Sequence, residues 1–354
     1  MLTINHAILH AYDFETSSNY ESTRELDVSD KAIRSYVTRL ARKTLSSSES
    51  KHGEFSPESN FHQELLRYRA SELDFVALSK EIGDFFFEEL MKSDDKLPYD
   101  LLVADVTDTE KASAPQTDEE VDASFEGSSR EVLAIVLLAR KQGYVHDVRE
   151  DMYLTDIVKT DALLPLPTQK VDSYAAIDLG SFEIDFADKA RTIAGQESFI
   201  IPDGLLQCTQ EASTREVIQS VTLAVQDVAE EYGLTPAVEV SRAKAYVTEQ
   251  ADEAEAIEPR EVGKKIFADR PEAQARYEEK MRESASAASI PEEVPVRPSV
   301  AHRIAKNHRI RTDTGIEITF PSEYSSNDDF IEFTTLPDGH ISITIKGVEH
   351  IENR

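Results

Sequence analysis

The chain has no tryptophan, a single cysteine and no apolar run long enough to span a bilayer. Cys208 has no second thiol to pair with, so no intrachain disulfide holds this fold, and the composition suits a reducing compartment. The longest apolar run, residues 132–139, falls far short of the roughly 18 residues that mark a membrane span. No basic segment followed by an apolar stretch opens the sequence, and a cytoplasmic protein is expected. Also missing are a phosphate-cradling loop ending in Gly-Lys-Ser/Thr, a Gly-x-Gly-x-x-Gly turn after a strand, and His-Glu-x-x-His. No serine stands in a Gly-x-Ser-x-Gly elbow, and Cys208 has no recognisable nucleophile context. With no positive sign of catalysis, a non-enzymatic protein without cofactor or metal is expected.

What is abundant is negative charge. Sixty-eight Asp and Glu against 38 Lys and Arg over 354 residues give a formal net charge of -30. Such acidity favours solubility and argues against indiscriminate coating of DNA, because sequence-independent affinity comes from cations that displace condensed counterions. Against that background, residues 31–43 and 294–312 each contain five lysines and arginines and no acid. These cleared windows are where a polyanion would be met.

Residues 2–11 alternate as a strand, with Ile4, His6, Ile8 and His10 on one face and Leu9 on the other. Ser29 or Asp30 offers a cap for an amphipathic helix over 31–43, whose Ile33, Tyr36, Val37 and Leu40 fall opposite Lys31, Arg34 and Arg42. After a serine-rich loop, Ser56-Pro57 reads as a helix start, and a helical pattern runs to about Met91. Residues 99–106, 131–140, 144–148 and 173–179 read as strands of an antiparallel meander, with Gln142-Gly143 as a tight turn. Residues 107–129 hold seven acids and one lysine among Pro, Ser, Thr and Gly, and are expected to form a mobile acidic loop.

Pro202-Asp203-Gly204 marks the expected boundary between an N-terminal α+β domain, 1–195, and a C-terminal domain, 205–354. In the latter, 211–232 and 238–255 read as helices, and Asp269-Arg270-Pro271 starts a polar helix toward Ser284. A Ser, Ala, Pro and Glu-rich connector follows. Residues 315–320, 329–335 and 340–346 are strand-like, the last two joined by Pro337-Asp338-Gly339. The expected class is α+β: an N-terminal antiparallel sheet with packed helices, then a helical region carrying a small three-stranded sheet.

Few residues are arranged for chemistry. His6 and His10 are spaced for a metal pair, but no Cys or acid is suggested beside them, and ordinary packing is the simpler reading. Asp178, Glu183, Asp185 and Lys189 are the nearest approach to a metal-dependent nuclease cluster, yet the lysine follows Asp188 directly instead of standing two residues beyond an acid. The second window offers Arg297, Arg303, Lys306, Arg309 and Arg311, which His302 and His308 would supplement. The first offers Lys31, Arg34 and Arg42. Aromatic interleaving is absent from the second window, which disfavours base stacking on single strands and leaves the duplex backbone as target. The alternative use of these cations is to neutralise neighbouring acids.

Several segments together resemble the bacterial nucleoid-associated protein family of the YejK or NdpA type. They are Ile4-Asn5 and Leu9-His10, the run Gly53-Glu54-Phe55-Ser56-Pro57-Glu58-Ser59, the run Asp74-Phe75-Val76-Ala77-Leu78-Ser79, and the closing Thr344-Ile345-Lys346-Gly347. The resemblance implies a cytoplasmic, self-associating protein at the nucleoid, with no established activity or cofactor, and it supplies no binding residues to carry over. The acidic stretch 107–129 and the total charge depart from it.

The first functional expectation is a nucleoid-associated homodimer that contacts duplex DNA locally and salt-sensitively through its basic windows. The alternative is an acidic interaction protein that reaches the nucleoid through a DNA-handling protein. A metal-dependent nuclease is third.

Overall fold

The computed structural model describes the chain except residues 95–96, 110–128, 150–153, 297, 327–328, 337–339, 351 and 353–354. It divides into two compact units, Met1–Gln210 and Glu211–Arg354. The first contains β1 (Leu2–Asp13), β2 (Ser18–Tyr20), α1 (Lys31–Leu45), β3 (Lys51–Gly53), α2 (Asn60–Arg69) and α3 (Phe75–Lys92). Then come β4 (Tyr99–Thr109), β5 (Ser129–Ala139), β6 (Lys141–Arg149), β7 (Leu154–Leu163), β8 (Tyr174–Asp178), β9 (Ile184–Ala187), β10 (Arg191–Ile193) and β11 (Gln196–Ser198).

Seven strands form one antiparallel sheet in the order β2-β1-β4-β5-β8-β9-β3. Its central strands are covered on both faces, which is why 132–139 is apolar without interruption. Leu133, Ile135 and Leu137 face α2 and α3 with Leu65, Leu78, Ile82 and Phe86. Val132, Val136 and Leu138 face α1 with Val37, Leu40 and Ala41. The class is α+β, as the segregation of strands and helices implies.

In β1 the alternation breaks where the register to β4 shifts between Ile4 and His6. A bulge places two successive residues against one partner and reverses the parity beyond it. Ile4 therefore joins Ala7 and Leu9 on the α1 side, while Ile8 and Tyr12 lie on the α3 side. The simple alternation that grouped Ile4 with Ile8 fails here.

Asp30 caps α1 by accepting from the amides of Ala32 at 2.7 Å and Ile33 at 3.0 Å. The second helix starts later than Ser56-Pro57 suggested. Its cap is Ser59, held also by a 2.8 Å bond to the Leu206 carbonyl. The helical pattern is broken before α3, where Ser71 takes a positive φ of 59° and Asp74 caps the new helix at Ala77.

Gln142-Gly143 is no hairpin turn. β5 is already flanked by β4 and β8, so β6 leaves the main sheet and pairs with β7 in a separate ladder. The stretch 200–206, which contains the expected boundary at Pro202-Asp203-Gly204, winds into one wide helical turn whose Ile200, Ile201, Leu205 and Leu206 enter the first core. The acidic stretch 107–129 lies outside the described residues apart from its ends in β4 and β5.

The second unit contains α4 (Thr214–Glu231), α5 (Pro236–Ala254), β12 (Ala256–Ile257), α6 (Pro259–Ile266), α7 (Pro271–Ala288), β13 (Val294–Pro295) and α8 (Pro298–Ala305). It ends in β14 (Asn307–Arg311), β15 (Glu317–Pro321), β16 (Ile331–Thr335) and β17 (Ile341–Ile345). Helices α4 to α8 share a core that includes Val217, Val225, Val247, Val262, Tyr277 and Ala301. A full capping box of Ser213 and Glu216 starts α4. The terminal strands form two separate hairpins, β14-β15 and β16-β17, instead of one three-stranded sheet. Residues 307–311, read only as part of a basic window, supply the fourth strand, and Pro337-Asp338-Gly339 lies outside the described residues.

Candidate functional site

The second basic window folds as the short helix α8 followed by β14. Val300, Ala301 and Ala305 bury one side of α8, and Arg303 is left on the exposed side. In β14 the period of two puts Arg309 and Arg311 outward and His308 inward. Lys306, between the two elements, is exposed. Arg309 is engaged by Glu317 of the facing strand. Lys306 and Arg311 make no ion pair among the described residues. Arg297 lies outside the described residues.

The histidines do not extend this basic surface. His302 bonds Asp252 at 2.8 Å. His308 is 6 % exposed and meets Phe320 edge-on at 5.5 Å between ring centres. Burial, with Lys244 second, pushes its pKa down to about 4, so it is neutral at physiological pH. The inward position in the strand overrides the expectation that it would add charge.

In the first window, Lys31, Arg34 and Arg42 are exposed on α1, and Arg39 completes that face. Arg34 folds back on the helix entry, donating to the carbonyls of Val28 at 3.1 Å and Ser29 at 3.2 Å. Lys43 donates to the Gln169 carbonyl. Lys31, Arg39 and Arg42 have no ion pair among the described residues.

Of the carboxylates considered for nuclease chemistry, Asp178 is occupied in a turn and Asp185 in a pair, Glu183 is exposed, and the neighbouring Asp188 is also engaged. Asp178 accepts the amides of Gly180 at 2.7 Å and Ser181 at 2.9 Å. Asp185 stands 2.6 Å from His52 Nδ1. Asp188 holds Arg191 at 2.7 Å and the Ile201 amide at 2.8 Å. His6 stacks on Phe75 and bonds Glu25 at 3.0 Å, whereas His10 bonds Ser79 at 3.1 Å and accepts the Ser22 amide. Burial pushes His10 down to about 4. Among the described residues no group of three or more His, Cys, Asp or Glu is placed to hold a metal. Burial also pushes the Cys208 thiol up to about 12.

Sequence reasoning missed a polar cavity of about 780 Å³ in the first unit, lined by Asn5, His6, Tyr68, Arg69, Asp105 and Glu131 among others. The β1 bulge aims Asn5 at Asp105, whose carboxylate is nearly buried. Asp105 accepts from Asn5 Nδ2 at 2.8 Å and from the Tyr68 hydroxyl at 2.6 Å. Burial, then this bond, raises the Tyr68 pKa. The only signal was Asn within an otherwise regular strand.

No helix among the described residues is long and apolar enough to cross a membrane. No curated protein matches the chain. A protein-family model described as nucleoid-associated protein YejK matches residues 8–352. The match covers both units, from β1 through the last hairpin, and so the chain belongs to the family of the nucleoid-associated protein YejK, a family of the cytoplasmic nucleoid.

Proposed function

We propose that this protein is a non-enzymatic member of its family that touches duplex DNA locally, as a homodimer, through the basic surface of α8 and β14. The observation that carries this reading is the β14 alternation, which leaves Arg309 and Arg311 in solvent beside Lys306 in an otherwise acidic chain. Phosphates are met by exposed cations that have no committed internal partner, a description that fits Lys306 and Arg311. The α1 face of Lys31, Arg39 and Arg42 is an accessory contact in this reading.

Self-association matters because few cations per chain give weak affinity, whereas linked copies act at high effective concentration. A two-fold dimer is the simplest closed assembly. Light scattering at micromolar protein is expected to report a dimer, and a monomer at all concentrations would remove this element.

Fluorescence-anisotropy titration of duplex DNA at low salt tests the contact itself, with Arg303→Ala/Lys306→Ala/Arg311→Ala as the comparison. The triple variant is expected to bind all sequences more weakly. If the parent does not bind, the second reading stands, in which the net charge of -30 lets the chain engage a basic DNA-handling protein.

A further inference from the structure

Among the described residues, β14 has a free edge. In its ladder with β15, the amide of Thr312 bonds the carbonyl of Ile316, and the amide of Ser322 bonds the carbonyl of Lys306. Antiparallel pairs alternate, so His308 and Ile310 also turn their backbone groups toward β15, opposite Phe320 and Ile318. Arg309 and Arg311 then turn theirs away, to the side where no described strand pairs. Their amides and carbonyls have no hydrogen-bond partner among the described residues.

That edge borders a cavity of about 650 Å³ within the second unit, whose wall includes residues 308–313 in unbroken succession. Ala237 and Val240 of α5, Ile310, and Phe333, Ile341 and Ile343 of the last hairpin give it an apolar interior. Phe333 and Ile343 are cross-strand partners on one face of that hairpin. Ile341 on the same face is 54 % exposed. An unpaired strand edge over an apolar pocket is the arrangement by which sheets add a foreign strand.

We propose that the free edge of β14 takes up, as an added strand, an extended peptide in which acidic and apolar side chains alternate. The backbone of such a segment supplies donors and acceptors for Arg309 and Arg311 together. Its alternate side chains divide between the two faces: apolar ones enter the cavity, and acidic ones lie beside the outward arginines. A second copy of β14 is a poor occupant, because its own arginines would oppose Arg309 and Arg311. DNA offers phosphate acceptors but no row of donors for the edge carbonyls. Arg311 is the freer cation, since Arg309 already meets Glu317.

The test uses the full-length protein and fluorescein-labelled peptides that alternate glutamate with valine or phenylalanine, measured by anisotropy without DNA. Controls are peptides of the same composition with acids and apolar residues in separate blocks, and alternating peptides N-methylated on alternate amides. The alternating peptides are expected to bind, the blocked and N-methylated ones to bind about tenfold more weakly. Arg311→Glu should weaken the alternating peptides by a similar factor while far-UV circular dichroism stays that of the parent. Equal binding of all three peptide kinds, or no binding by any of them at low salt, overturns the proposal. Because no DNA is present, loss of DNA contact with peptide binding intact overturns the reading of the preceding section alone.

Discussion

Arg140 Nε stands 3.6 Å from Asp100 Oδ1, on side chains that are 16 % and 8 % exposed. The guanidinium also donates to the Tyr12 carbonyl at 2.6 Å. The pair is imperfectly matched, and burial outweighs the attraction: the Asp100 carboxyl is pushed up from 3.8 to about 6.

A raised carboxyl pKa means that the folded state holds a proton that the unfolded chain has already lost. The associated stability is fully present below pH 3.8 and is lost as pH rises through about 6. Asp100→Asn removes this dependence. The stability difference between parent and variant is expected to change by up to about 3 kcal/mol between roughly pH 4 and pH 7, with the parent relatively weaker at the higher value. Urea unfolding at the two pH values measures it, and a constant difference would contradict it.

Tyr68→Phe deletes the 2.6 Å bond to the nearly buried Asp105 carboxylate. Asn5 remains as a donor, so the expected loss is about 1 to 2 kcal/mol of stability, with the fold retained. A shift in urea midpoint at unchanged slope is the readout.

A Cβ at Gly263 would lie 2.0 Å from the ring of Tyr277, which is fully buried and bonded to the Pro259 carbonyl at 2.7 Å. That ring cannot withdraw without giving up its partner. Gly263→Ala is expected to destabilise the second unit by about 3 kcal/mol, through overpacking. Calorimetry on the full chain reads this as a lowered transition.

Cys208 is half-buried with its thiol pushed up to about 12, through burial first and Asp203 second. At about pH 8 it should react with a thiol-specific reagent on the order of a thousandfold more slowly than free cysteine, because the thiolate is the reactive form. Denaturant should restore the ordinary rate.

Much of the fold was legible where one local rule dominates. β4 and β5 show as apolar runs because both sheet faces are covered, and α1 shows through Asp30 and its apolar stripe. The β1 bulge was not legible, since nothing in Ile4-Asn5-His6 says which residue the partner strand will skip. β7 shows no period of two, since Thr155-Asp156 and Lys159-Thr160-Asp161 interrupt its apolar residues, and it pairs only with β6, so its sequence looks like loop. In the second window the clustered cations were visible, but their division between α8 and β14 was not. That division separates outward Arg309 and Arg311 from neutral, buried His308.

The central claim is that cations of α8 and β14 meet DNA phosphates, and the salt dependence of duplex binding tests it most directly. Each phosphate neutralised contributes about 0.9 to the fall of log affinity with log salt. Two contacts per chain in a dimer therefore give a slope of about -4. The account predicts that slope for the parent, and a weaker, flatter dependence for the variant lacking Arg303, Lys306 and Arg311 on every duplex sequence tried. A parent that fails to bind at low salt, or a triple variant with the parent's affinity and slope, would contradict it.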